Sequence, residues 1–155
     1  MSELTVSRRG VLAGAGVGIV AAAGLGLMPR NAMATPAQAE AMIKKVAGGA
    51  AIKTGKITLK MPEIAENGAS VPFTVKVDSP MTEKDYVKKI YVIAEDNPFP
   101  EVCDYELTPA MGKAEISMRM RLAKTQKVHA IAIMSDGSVY QATDEVKVTI
   151  GGCGG

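Results

Sequence analysis

Between Ile57 and Ile150 the apolar residues recur at every second position, and that single periodicity decides most of what this chain can become. Alternation of this kind turns one side of a segment toward a core and the other toward water, as a half-buried strand requires. Ile57 and Leu59 alternate with Lys56, Thr58 and Lys60. Val71, Phe73, Val75 and Val77 alternate with Pro72, Thr74, Lys76 and Asp78. Residues 90–94 are apolar on both sides, which places them in the middle of a sheet. Asn97-Pro98-Phe99-Pro100 interrupts the pattern, because proline donates no ladder hydrogen bond. A short strand over 102–107 follows, then Ala114, Ile116, Met118 and Met120 on one face, read as core filler, with Glu115, Ser117, Arg119 and Arg121 on the other. Residues 128–134 and the run from Val139 flank Ser135-Asp136-Gly137-Ser138, where Asp-Gly predicts a tight hairpin turn. About seven short strands with evenly spaced turns predict an all-β fold, an antiparallel immunoglobulin-like β-sandwich, with a small barrel as the alternative.

Upstream the period is different. Thr35 is a candidate helix cap, Pro36 suits the first helical position, and Ala37, Ala39, Ala41, Met42 and Ile43 lead to Lys44 and Lys45. This predicts a short N-terminal helix over 35–46, stopped by Gly48-Gly49. Residues 1–34 read as an export signal. Ser7-Arg8-Arg9 precedes a Gly/Ala-rich apolar run that closes on Ala32-Met33-Ala34, a small-x-small cleavage site. The arginine pair points to the twin-arginine route and a periplasmic location. The domain then spans 35–150.

Removing the leader takes away Arg8, Arg9, Arg30 and Glu3, so the remaining chain carries 15 basic and 15 acidic residues. The excess of positive charge belongs to the leader. No basic patch for nucleic acid or for a membrane surface remains.

The chain ends Gly151-Gly152-Cys153-Gly154-Gly155, which predicts a flexible arm holding one thiol with no side chain beside it. Cys153 lies three residues past Ile150, so an extended arm reaches roughly 10 Å from the body. No cation or histidine is close in sequence to lower its pKa, so the thiol suits being acted upon rather than acting. Other catalytic apparatus is absent from the pattern. His129 is the only histidine, which excludes a multi-histidine metal site, and its strand-like setting from Lys127 to Ile131 argues against a Ser-His-Asp triad; it reads as a surface or sheet-face residue. No phosphate-binding loop follows a strand. The acidic pairs Glu95-Asp96 and Asp144-Glu145 read as solvated loop charges. No cofactor is implied and no residue is assigned a catalytic role. Cys103 shares parity with Tyr105 and Leu107, which suits a buried free thiol or, on a second reading, a disulfide to a partner subunit. A bridge from Cys103 to Cys153 would silence the arm.

The terminal run from Val146 to Gly155, with Val77-Asp78-Ser79-Pro80-Met81-Thr82, Ala94-Glu95-Asp96-Asn97-Pro98 and Met134-Ser135-Asp136-Gly137-Ser138, resembles the SoxY family of sulfur-carrier subunits. The resemblance implies that Cys153 holds sulfur intermediates covalently during thiosulfate oxidation. Gly151, Gly152, Gly154 and Gly155 would keep the arm slender and flexible. It also implies a heterodimer with a SoxZ-like β-sandwich, and service to a haem enzyme, a metallohydrolase and a sulfane dehydrogenase. Cys103 lies outside the family pattern. Two other classes fit part of the sequence. One is a carrier bearing a C-terminal thiocarboxylate after Gly-Gly, against which the export leader argues. The other is a structural periplasmic sandwich that dimerises through its tail cysteine.

Overall fold

The computed structural model describes residues 35–151; the expected leader at 1–34 and the residues 152–155, Cys153 among them, lie outside the described residues. Helix α1 (Pro36–Ala47) begins where Thr35 donates its backbone N–H to Gln38 Oε1 at 3.1 Å, and ends at Gly48, whose φ of 59° suits glycine. Nine strands follow: β1 (Ile52–Lys53), β2 (Ile57–Lys60), β3 (Ile64–Ala65), β4 (Val71–Val77), β5 (Val87–Ala94), β6 (Glu101–Glu106), β7 (Ala114–Met120), β8 (Gln126–Met134) and β9 (Val139–Val148). A short 3-10 turn at Pro109–Met111 joins β6 to β7.

The strands form two sheets. One runs β1-β9-β8-β5-β6, with β3 added alongside β9, and the other runs β2-β4-β7. The inner faces meet in one core in which Val71, Phe73, Val75 and Val77 of β4 oppose Ile90, Val92, Ala130, Ala132 and Val146 of the larger sheet. The alternation in β4 is carried through without a break, each apolar residue buried and each polar neighbour at least partly exposed. Strands β5 and β8 are apolar on both sides because α1 covers the outer face, where Ala39, Ile43 and Ala47 pack on Ile93, Ile131 and Val139. The double-sided pattern at 90–94 thus corresponds to a central strand, flanked by β8 and β6.

The all-β two-sheet expectation holds, and seven of the nine strands fall where the alternation placed them. Three details differ. Strands β1 and β3 pair parallel to β9, so the larger sheet is mixed rather than purely antiparallel. Each has two residues, too few to show a period. Met120 is buried as core filler, but Met118 is 42% exposed on β7, an edge strand of its sheet. The Tyr105 hydroxyl of β6 meets the Met118 sulfur across the gap. Third, Glu95 and Asp96 are not free loop charges: Glu95 pairs with His129 and Asp96 with Lys124 at 3.2 Å.

The β8–β9 hairpin turns as its Asp-Gly predicts. Gly137 has φ 83°, and Asp136 Oδ1 accepts from the Ser138 N–H at 2.8 Å and its hydroxyl at 2.6 Å. Those hydrogen bonds hold the Asp136 carboxyl below its usual range. From this turn β9 runs its full ten residues to the other end of the domain, where the glycine-rich tail begins.

Candidate functional site

The described residues include the root of the tail, Thr149 to Gly151, and they show how the body grips it. On one side, parallel strand β3 pairs Ile64 and Ala65 with Lys147 and Val148. The grip then continues past the strand: Thr149 N–H donates to the Ala65 carbonyl at 3.1 Å, Thr149 Oγ1 to the Glu66 carbonyl at 2.8 Å, and Gly68 N–H to the Ile150 carbonyl at 2.7 Å. On the other side, Thr125 Oγ1 accepts from the Val148 N–H at 2.9 Å. The chain is therefore held from both flanks up to its last described residues.

Gly151 passes close against the 121–125 loop. A Cβ built there would stand 2.3 Å from the Ala123 carbonyl oxygen, a distance real Cβ atoms do not reach. Glycine at this position is thus required by close approach, a reason additional to the freedom expected from the sequence. Two apolar side chains stand out in this region: Ile150 is 67% exposed, and Phe99 is 82% exposed in a surface hollow shared with Asn97 and Arg121.

The 121–125 loop is itself pinned. Leu122 is fully buried, and its N–H donates to the Gly68 carbonyl at 2.8 Å. Asn97 Nδ2 donates to the Arg121 carbonyl at 2.8 Å, while Asn97 Oδ1 accepts from the Ala123 N–H and from Gln126 Nε2, each at 3.0 Å. Gln126 Oε1 accepts from the Asp96 N–H at 2.8 Å, and its Nε2 also reaches the Lys124 carbonyl at 3.2 Å. Buried amides in which each polar atom has a partner lock the backbone they touch, since leaving any of them unpaired costs about 1–3 kcal/mol. Sequence reading saw Asn97-Pro98 only as a turn. Its sole cue was a polar amide beside two prolines, and its partner Gln126 lies at the start of a strand 29 positions away.

The remaining candidate residues are placed as follows. Cys103 sits in β6 opposite Val92, half-buried and free, on the inner side of an edge strand. Burial pushes its thiol pKa up to about 11, with the charges of Asp104 and Glu101 adding to the effect. Lys89 lies near, bound to Asp104 at 2.7 Å and Glu106 at 3.5 Å, and the Asp104 hydrogen bond holds its ammonium above the usual range. His129 is on a sheet face as expected, but it is 7% exposed and bonded on both ring nitrogens. Nε2 meets Glu95 Oε1 at 2.8 Å, and Nδ1 lies 2.9 Å from both Thr143 Oγ1 and Gln141 Nε2. Among the described residues, no three His, Cys, Asp or Glu side chains converge to hold a metal ion.

A tail rooted at the end of a β-sandwich narrows the comparison with known proteins. The sequence profile of the sulfur oxidation protein SoxY matches residues 43–153, ending on Cys153 itself. The chain belongs to the SoxY family. No curated protein sequence matches it. Among solved structures, the sulfur carrier protein SoxY from Chlorobium limicola f thiosulfatophilum is 36% identical, with a TM-score of 0.63 over 75% of this chain and 100% of that one. Superoxide reductase (neelaredoxin) from Ignicoccus hospitalis aligns with a TM-score of 0.53 over 75% of this chain and 94% of that one, at 21% identity. That likeness is one of fold. In this SoxY-family chain, then, the gripped residues Thr149, Ile150 and Gly151 directly precede the stretch in which the family match ends, at Cys153.

Proposed function

We propose that this chain is a periplasmic sulfur carrier that holds thiosulfate-derived sulfur covalently on Cys153 and presents it to separate enzymes. The observation that carries the reading is the family match, which extends through the tail to Cys153. The similarity to a sulfur carrier protein, over 75% of this chain, supports it. The root geometry suits the role, since a tail that leaves a well-held exit offers its thiol at a defined place on the body.

In the loading step an S–S bond forms between Cys153 Sγ and the outer sulfur of thiosulfate. The thiol proton goes to water, and an electron pair leaves to a haem enzyme. Hydrolysis of the terminal S–S bond then releases sulfate and leaves a persulfide on Cys153. A sulfane dehydrogenase takes electrons from that outer sulfur while water supplies oxygen, and a second hydrolysis returns the thiol and another sulfate. Every bond change is at the tethered sulfur, and the chain itself contributes the handle and its placement. A tether also raises the local concentration of the sulfur at each docked enzyme. The twin-arginine leader at 1–34 and a SoxZ-like partner subunit complete the proposal.

Intact mass spectrometry of protein from thiosulfate-grown cells tests it. The expected result is added sulfur mass on the C-terminal peptide that disappears on reduction. A tail that bears no such mass, or that runs wholly as a Cys153-linked dimer on non-reducing electrophoresis, overturns it.

A further inference from the structure

We infer that Asn97 and Gly151 are positioning residues that together fix where the Cys153 tail leaves the domain. The inference deepens the carrier reading and depends on it for its consequence, though not for its geometry.

Asn97 and Gln126 are 7% and 4% exposed, and no buried side-chain polar atom among the described residues lacks a partner. Between them these amides engage the backbone of Arg121, Ala123 and Lys124. With Leu122 buried beneath, the loop has no freedom to retreat. The Ala123 carbonyl is thereby set beside the exit path, and only a residue without Cβ passes it. The φ of Gly151 is outside the left-handed region, so the requirement is for space and not for an unusual backbone conformation. Gly68 closes the ring: its carbonyl accepts from Leu122 N–H and its N–H donates to the Ile150 carbonyl. Asn97, the loop, Gly68 and Gly151 form one connected clamp around the exit.

The scale of the tether gives the clamp its consequence. Cys153 follows Gly151 by two residues, at most roughly 7 Å of extended chain. A shift of a few ångströms at the root is a large fraction of that reach. An enzyme pocket that receives the sulfur while resting on the body therefore depends on where the exit is.

The test places nitroxide labels on Cys153 and on a cysteine introduced at Glu115, an exposed residue of β7, in a Cys103→Ala background. Pulsed electron spin resonance reads their distance distribution, and amide exchange of Gly68 is followed in parallel. Gly151→Ala and Asn97→Ala are each expected to broaden the distribution roughly twofold and to speed Gly68 exchange, because its bond to Ile150 is lost. Gly137→Ala is the control, strained at φ 83° in the hairpin at the far end of β9. It lowers the melting temperature while leaving both readouts at the exit unchanged. Gly151→Ala alone decides the matter if Asn97→Ala does not fold. An unaltered distribution and unaltered Gly68 exchange in Gly151→Ala overturn the inference, as does an equal broadening in Gly137→Ala. Neither result touches the sulfur-carrier reading, because the measurement uses no sulfur substrate.

Discussion

The two cysteines have contrasting neighbours in the sequence, acidic residues about Cys103 and glycines about Cys153, and the contrast bears on the carrier role proposed for the latter. Cys103 lies on strand β6 against the core, with acidic residues on either side of it in sequence, Asp104 directly and Glu101 two positions before. Burial and those charges both disfavour its thiolate. Cys153 is flanked in sequence by two glycines on each side, with no adjacent acidic residue. The nucleophile is the thiolate, so the fold disfavours reaction at Cys103. In the proposed carrier, selectivity would come from silencing Cys103 and would need no activation of Cys153.

The sharpest way to break this comparison is to exchange the two residues' fates. Cys153→Ser is expected to abolish the reducible sulfur mass completely and Cys103→Ser to leave it in place, as read by intact mass spectrometry. Next in size is their alkylation by iodoacetamide at pH 8. A pKa near 11 against an ordinary thiol predicts that Cys153 reacts roughly a hundredfold faster. Peptide mapping over time measures the ratio, and unfolding in urea should bring it close to one.

A smaller effect is on alkaline stability. The raised value means that the folded protein holds the Cys103 proton more tightly than the unfolded chain does. The stabilisation is complete below the ordinary value of 9.0 and is lost as pH rises through about 11. Because the thiol is only half-buried, about 1 kcal/mol is the appropriate size after allowing for solvent screening. Urea denaturation across that window should show the loss in the native sequence and not in Cys103→Ala. The smallest effect belongs to Asp104→Asn, which removes a secondary cause and leaves burial untouched. Alkylation of Cys103 should then quicken by only about twofold.

How far the sequence could be read follows from where each interaction sits along the chain. Strand β4 was legible because its partners on both sides supply the same alternation, and the β8–β9 turn because Asp136, Gly137 and Ser138 act within four residues. The helix was legible from Pro36 and the Gly48-Gly49 stop. Strands β1 and β3 were not, since two residues have no period. Met118 was misplaced because parity states which face a residue takes, not whether anything covers that face. The Glu95–His129 pair and the Asn97–Gln126 pair span 34 and 29 positions, so no local pattern announces them. At Gly151 the sequence suggested freedom, while the carbonyl that demands glycine belongs to Ala123, visible only after folding.

Helix α1 has an effect beyond filling the core. By lying across β5 and β8 it covers Ile93, Ile131 and Val139, apolar residues that the larger sheet would otherwise have shown to another molecule. An incoming subunit finds that side already taken. What is left to it are the lateral margins of the sandwich and the hydrophilic exterior of β2, β4 and β7, so the helix narrows the directions from which any complex can be assembled.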